Sequence, residues 1–137
     1  MADFLKFSIP QKPEYVGLIR LAISSAANSA GFDIEAIEDI KVAVGEACTN
    51  VICHGNSGDY KNFEVECQLE KDRMIICIED QGHGYKVEDY SEPDLTDPKE
   101  GGLGLFIIKS LMDEVDISSK VGEGTKIQMI KYVWWGW

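Results

Sequence analysis

The chain has 137 residues, 45% of them apolar, which suits a single domain with a substantial core. Its 13 Lys plus Arg against 24 Asp plus Glu give a net charge of −11. That balance argues against nucleic acid or an anionic membrane as the main partner and leaves room for a basic protein.

Near the N-terminus, Phe4, Lys6 and Ser8 alternate with Leu5, Phe7 and Ile9 as a strand would, and Pro10 ends the run. Pro13 can start a helix in which Val16, Ile19 with Arg20, Ile23 and Ala27 recur at helical spacing until Gly31 stops it. Asp33 is placed to cap a second, longer helix with a buried stripe of Ile37, Ile40, Val44, Ala47 and Val51 ending at His54-Gly55. After the turn-rich stretch 56–61, the alternation of Phe63, Val65 and Cys67 and the apolar run Met74 to Ile78 predict two antiparallel strands joined around Glu70 to Arg73. Residues 81–100 hold two prolines, many charges and little periodicity, as a functional lid would. Leu105, Ile108, Leu111 and Met112 predict a third helix, followed by strands over Val115 to Ser119 and Thr125 to Val133 around the turn Gly122-Glu123-Gly124.

This order predicts an α+β fold, an α/β sandwich whose mixed or mostly antiparallel sheet carries helices on one face, as one domain over residues 1–137. The N-terminus has no signal-peptide pattern and no window approaches the ~18 apolar residues of a membrane span, so no membrane contact and a cytoplasmic location are expected. The four cysteines form no Cys-x-x-Cys pair and read as buried free thiols. A zinc set of Cys48, Cys53 and His54 fits no common spacing. The tail Trp134-Trp135-Gly136-Trp137 reads as an apolar terminus packed on the sheet or on a neighbouring subunit.

Three motifs carry chemistry. Glu46, Asn50 and His54 are four residues apart and share one helical face. A glutamate there is ordinarily a solvated side chain, but an amide in mid-helix is unfavourable without a purpose, and the Asn50 oxygen suits Mg²⁺. Such a cation is expected, because the chain's own negative charge would repel a polyanionic nucleotide at long range.

Asp80 ends an apolar strand before Gly82 and Gly84. This is either a plain strand-exit turn or a pocket where Asp80 accepts from an exocyclic amine while the glycines admit a flat base. Gly101-Gly102-Leu103-Gly104 opens directly onto a helix, and its backbone N–H groups could receive phosphates, though it is neither a Walker A nor a Gly-x-Gly-x-x-Gly sequence.

In order and interval, Glu-Ala-x-Thr-Asn-x-x-x-His-Gly, Asp-x-Gly-x-Gly, Gly-Gly-Leu-Gly-Leu-Phe and Gly-x-Gly-Thr resemble the GHKL ATPase superfamily. The stretch from Glu100 to Val115 is similar, more narrowly, to the anti-sigma factor serine kinases of bacteria, and the resemblance runs from about Phe4 to Lys131. It implies a Bergerat-type fold binding ATP or ADP with Mg²⁺, an activity that holds a sigma factor inactive and phosphorylates a serine on an anti-anti-sigma (STAS) protein, and a homodimer. No exposed apolar patch is evident from periodicity on the first strand or helix.

Residue by residue, the resemblance makes Glu46 the general base, Asn50 the Mg²⁺ ligand and Asp80 the reader of the adenine amine. Gly82 and Gly84 would line the base, and Gly102, Leu103 and Gly104 would meet the phosphates. Thr125 would support Asp80, and His54 would lie near the triphosphate or simply end its helix. Arg20 would be presented to protein partners, with a plain surface arginine as the alternative. The competing reading is an ATP-gated anti-sigma binding module with little kinase activity, against which the presence of Glu46 speaks.

Overall fold

The structure, a computed structural model, describes residues 2–55, 62–80, 103–120 and 124–133. Strand β1 (Asp3–Pro10) is followed by a single 3₁₀ turn (Pro13–Tyr15) and helices α1 (Val16–Ser29) and α2 (Ile34–Gly55). Strands β2 (Asn62–Leu69) and β3 (Arg73–Asp80), helix α3 (Leu103–Leu111), and strands β4 (Glu114–Lys120) and β5 (Gly124–Tyr132) complete the order. The expected first helix thus divides: the Pro-led turn is 3₁₀, and regular α-helix begins at Val16.

Local chemistry explains the helix boundaries. Gly31 adopts φ 96°, and the N–H groups of Phe32 and Gly31 donate to the carbonyls of Ala27 and Asn28 at 3.2 Å each. That is the left-handed stop for which glycine is suited, and it satisfies carbonyls that the end of α1 would otherwise leave bare. Two residues later Asp33 Oδ1 accepts the Ala36 N–H at 2.8 Å, which caps α2 as its sequence position requires.

The five described strands form one sheet in the order β1-β2-β3-β5-β4, with β5 inserted between β3 and β4. Every pairing among them is antiparallel, so the parallel component allowed for in the sequence is absent from the described strands. Period-2 burial sets one face against the helices: Phe63, Val65 and Cys67 on β2, Met74, Ile76 and Ile78 on β3, and Ile127 and Met129 on β5 are fully buried. They meet Ile19, Ile23 and Ala27 of α1, Ile40, Val44, Ala47 and Val51 of α2, and Leu105 and Ile108 of α3. The opposite face carries Glu64, Glu66, Cys77, Glu79, Lys126 and Gln128 at partial or full exposure.

Two expectations need correction. Of the four thiols, Cys48 and Cys67 are buried, but Cys77 is half-buried and Cys53 exposed, because Cys77 lies on the uncovered sheet face and Cys53 falls off the buried stripe of α2. Cys48 and Cys53 therefore lie in different environments and do not converge as a zinc set. Exposed apolar side chains do occur on the first strand and helix, namely Phe4, Leu5, Leu18 and Leu21. Strand β1 lies at the edge of the sheet. Among the described residues, no helix is long and apolar enough to cross a membrane.

Candidate functional site

Helix α2 supplies the first half of the site. Its apolar stripe packs on β3 and β5, and α3 lies alongside it. Glu46 and Asn50, one turn apart, fall at the margin of that stripe: Glu46 is half-buried and Asn50 is 8% exposed. The Asn50 Oδ1 is buried and has no hydrogen-bond partner among the described residues. An enclosed carbonyl oxygen left unbonded costs about 1–3 kcal/mol, so its retention calls for a ligand that the protein does not itself provide.

The beginning of α3 faces this turn of α2. A Cβ built on Gly104 would stand 3.1 Å from Glu46 Oε2, so the carboxylate lies against the glycine backbone at the first turn of α3 and occupies space that a side chain would contest. The first N–H groups of a helix lack intrahelical acceptors and carry the positive end of its dipole, a setting for phosphate oxygens. The Glu46 carboxylate and the N-terminal end of α3 thus come together.

The second half is a row across three strands. Asp80 on β3 stands opposite Thr125 on β5, and Thr125 opposite Ser119 on β4. Asp80 and Thr125 are each 2% exposed, so both belong to the inner face of the sheet and end the rows formed by Ile76 and Ile78 and by Ile127 and Met129. Thr125 Oγ1 lies 2.8 Å from Ser119 Oγ. Ser119 was missed in the sequence, although the signal was there: it continues the inward set Val115, Ile117 and is the polar member of it.

Other candidates fall elsewhere. Leu103 opens α3 and is half-buried, and His54 lies in the last turn of α2. Arg20 is half-buried on α1, with its Nε enclosed and unbonded among the described residues and its Cδ 3.3 Å from where a Gly45 Cβ would be. It therefore leans across α2 instead of standing freely at the surface. Gly82, Gly84, Gly102, the lid at 81–100 and the Trp134–Trp137 tail lie outside the described residues.

The donor set fits a magnesium nucleotide. Asn50 offers a hard oxygen ligand, Gly104 leaves a cradle that a larger residue would fill, and Asp80 with Thr125 offers buried acceptors to a base. Burial pushes the Cys48 thiol up to about 12 and the Cys67 thiol up to about 11, so neither is a nucleophile at neutral pH.

Comparison with known proteins places the chain in a family. Residues 9–131 match the family described as the histidine kinase-like ATPase domain. The serine-protein kinase RsbW of Bacillus licheniformis is 38% identical over 96% of this chain and 87% of its own length. That of Listeria monocytogenes is also 38% identical, over 97% of this chain and 89% of its own. Among solved structures, the RsbU and RsbW domains of a Mycobacterium tuberculosis protein superpose with a TM-score of 0.71 at 18% identity, covering 94% of this chain and 31% of that one, which speaks to the fold. The chain belongs to the histidine kinase-like ATPase family, and within it to the RsbW serine-protein kinases.

Proposed function

We propose that this protein is an anti-sigma factor that binds ATP with Mg²⁺, sequesters a sigma factor and phosphorylates a serine on an anti-anti-sigma protein of the STAS class. The observation that carries the reading is the Glu46 carboxylate lying against Gly104 at the start of α3. A module that only bound nucleotide would need the helix end but not a carboxylate beside it. The relatives' name, serine-protein kinase, supports the same choice.

In this reading Glu46 accepts the proton of the incoming serine hydroxyl, and the backbone of Gly102, Leu103 and Gly104 holds the phosphates. Asn50 and the buried pair Asp80 and Thr125 hold Mg²⁺ and the adenine, with His54, Gly82 and Gly84 around the nucleotide. When bound, Mg²⁺ neutralises charge that develops on the transferred phosphoryl group. The segment 81–100 serves as the lid, and positioning supplies most of the rate.

Arg20, with Gly45 beside it, is the side chain proposed to meet protein partners. The exposed Phe4, Leu5, Leu18 and Leu21 are surface that a second copy would cover in a homodimer.

Radiolabelled ATP and Mg²⁺ incubated with the protein and each anti-anti-sigma candidate of the same genome tests the reading. Label is expected on a partner serine with the parent protein. With Glu46→Gln, ATP binding is expected to remain while transfer falls by at least ~100-fold, whereas Asn50→Ala loses Mg-ATP binding itself. Equal loss of binding in both variants would reject this division of labour.

A further inference from the structure

Strand β5 turns Thr125, Ile127, Met129, Lys131 and Val133 toward the helices, and Lys131 is the one charged member of that row. Its side chain is only 13% exposed. A lysine so enclosed is costly unless its charge and its protons find partners. Both needs are met: Nζ donates to the carbonyl oxygen of Leu111, the last residue of α3, and stands 3.6 Å from Asp39 Oδ2 on α2. One ammonium group thus joins β5, α2 and the C-terminal end of α3, where the helix dipole also favours a cation.

This joint lies at the far end of the same two helices that form the site. Asp39 precedes Glu46 on α2 by the same number of residues as Leu111 follows Gly104 on α3, about 10 Å of helix in each case. The two helices therefore run antiparallel, joined through Lys131 at one end and meeting at the other where Glu46 lies against Gly104. Apolar packing is non-directional and sets the spacing of two helices better than their axial position. A hydrogen bond to one carbonyl and an ion pair to one carboxylate do set it. Asp113 holds the chain beyond α3 to β5, its N–H donating to the Ile130 carbonyl at 3.0 Å and its Oδ2 accepting the Tyr132 N–H at 2.7 Å, but these two bonds do not involve α2.

We infer that Lys131 is a positioning residue: by pinning the end of α3 to Asp39 it sets the axial register of α3 on α2, and with it where the first N–H groups of α3 stand relative to Glu46 and Asn50. The inference rests on the reading of that helix start as the phosphate site. It separates two parts of the nucleotide. Loosening α3 weakens the hold on phosphates, whereas Asp80 and Thr125 are carried by the sheet and keep their places.

Dissociation constants of Mg-ADP and of adenosine, which has no phosphates, are read by competition against a fluorescent ADP analogue titrated separately on each variant. No phosphoryl transfer is involved. Lys131→Met keeps an unbranched side chain without the ammonium, and is expected to weaken Mg-ADP about tenfold while adenosine stays within about twofold. Asp39→Ala removes only the anchor on α2 and is expected to weaken Mg-ADP about threefold. The double variant is expected to lose no more than Lys131→Met alone, because both changes act through one contact. Thermal unfolding without nucleotide checks that each variant folds, and Asp39→Ala carries the test if Lys131→Met does not.

Unchanged Mg-ADP affinity in Lys131→Met, with Asn50→Ala still abolishing binding, would overturn the role of Lys131 and leave the nucleotide site standing. Equal weakening of Mg-ADP and adenosine would mark a merely structural residue and overturn it as well, as would losses that add in the double variant. A parent protein that holds Mg-ADP no more tightly than adenosine would remove the phosphate reading of α3, and the inference with it.

Discussion

At the scale of single residues, the four cysteines show how burial governs chemistry. Cys48 and Cys67 are desolvated, and because the charged thiolate is the form that burial penalises, their pKa values rise to about 12 and about 11 from 9.0. Ellman's reagent is expected to modify Cys53 first, Cys77 more slowly, and Cys48 and Cys67 only on unfolding; fast reaction of all four in the native protein would contradict the packing. Linkage gives the pH dependence. The folded-state pKa values are raised, so the stabilisation is complete below about pH 9 and is lost as the pH climbs through about 11 to 12. Thermal midpoints are expected to fall over that window, and less steeply in Cys48→Ala. The sequence alone suggested free thiols but gave all four the same burial, since a cysteine's neighbours across a sheet or helix layer lie far away in the chain.

At the scale of elements, the boundaries were legible wherever a side chain acts on its own backbone. Gly31 and Asp33 each meet a need within a few residues, one for a left-handed φ and one for a hydrogen-bond acceptor at the start of α2. Asp33→Ala removes the 2.8 Å cap on the Ala36 N–H and is expected to cost about 1 kcal/mol, read as a lower urea midpoint with unchanged slope. An unchanged midpoint would mean that water replaces the cap without loss. The Pro13–Tyr15 turn was harder to read, because a proline that opens an α-helix and one that opens a 3₁₀ turn leave the same mark in the sequence.

At the scale of the whole molecule, the proposed nucleotide would join parts that are distant in sequence: α2 at Glu46 and Asn50, the end of β3 at Asp80, the start of α3 at Gly104 and the start of β5 at Thr125. A ligand held by the folded arrangement alone stabilises it by mass action. Mg-ATP at about a hundredfold excess over its Kd is expected to add about 2.7 kcal/mol, a rise on the order of 10 °C in Tm for a chain of this size. Asn50→Ala is expected to show no such rise. Absence of a shift in the parent protein would count against nucleotide binding at this site.

The sequence by itself determined the period of each element, the caps and stops between them, and the motifs that carry chemistry, because all of these depend on spacing along the chain. Only the tertiary structure decided which of those motifs meet. Glu46 lies against Gly104 because α3 packs beside α2, and β5 enters the sheet between β3 and β4, which sets Thr125 between Asp80 and Ser119. The physical reason is that strand order and helix packing are settled by burial of apolar faces over the entire core, a sum that no local window contains.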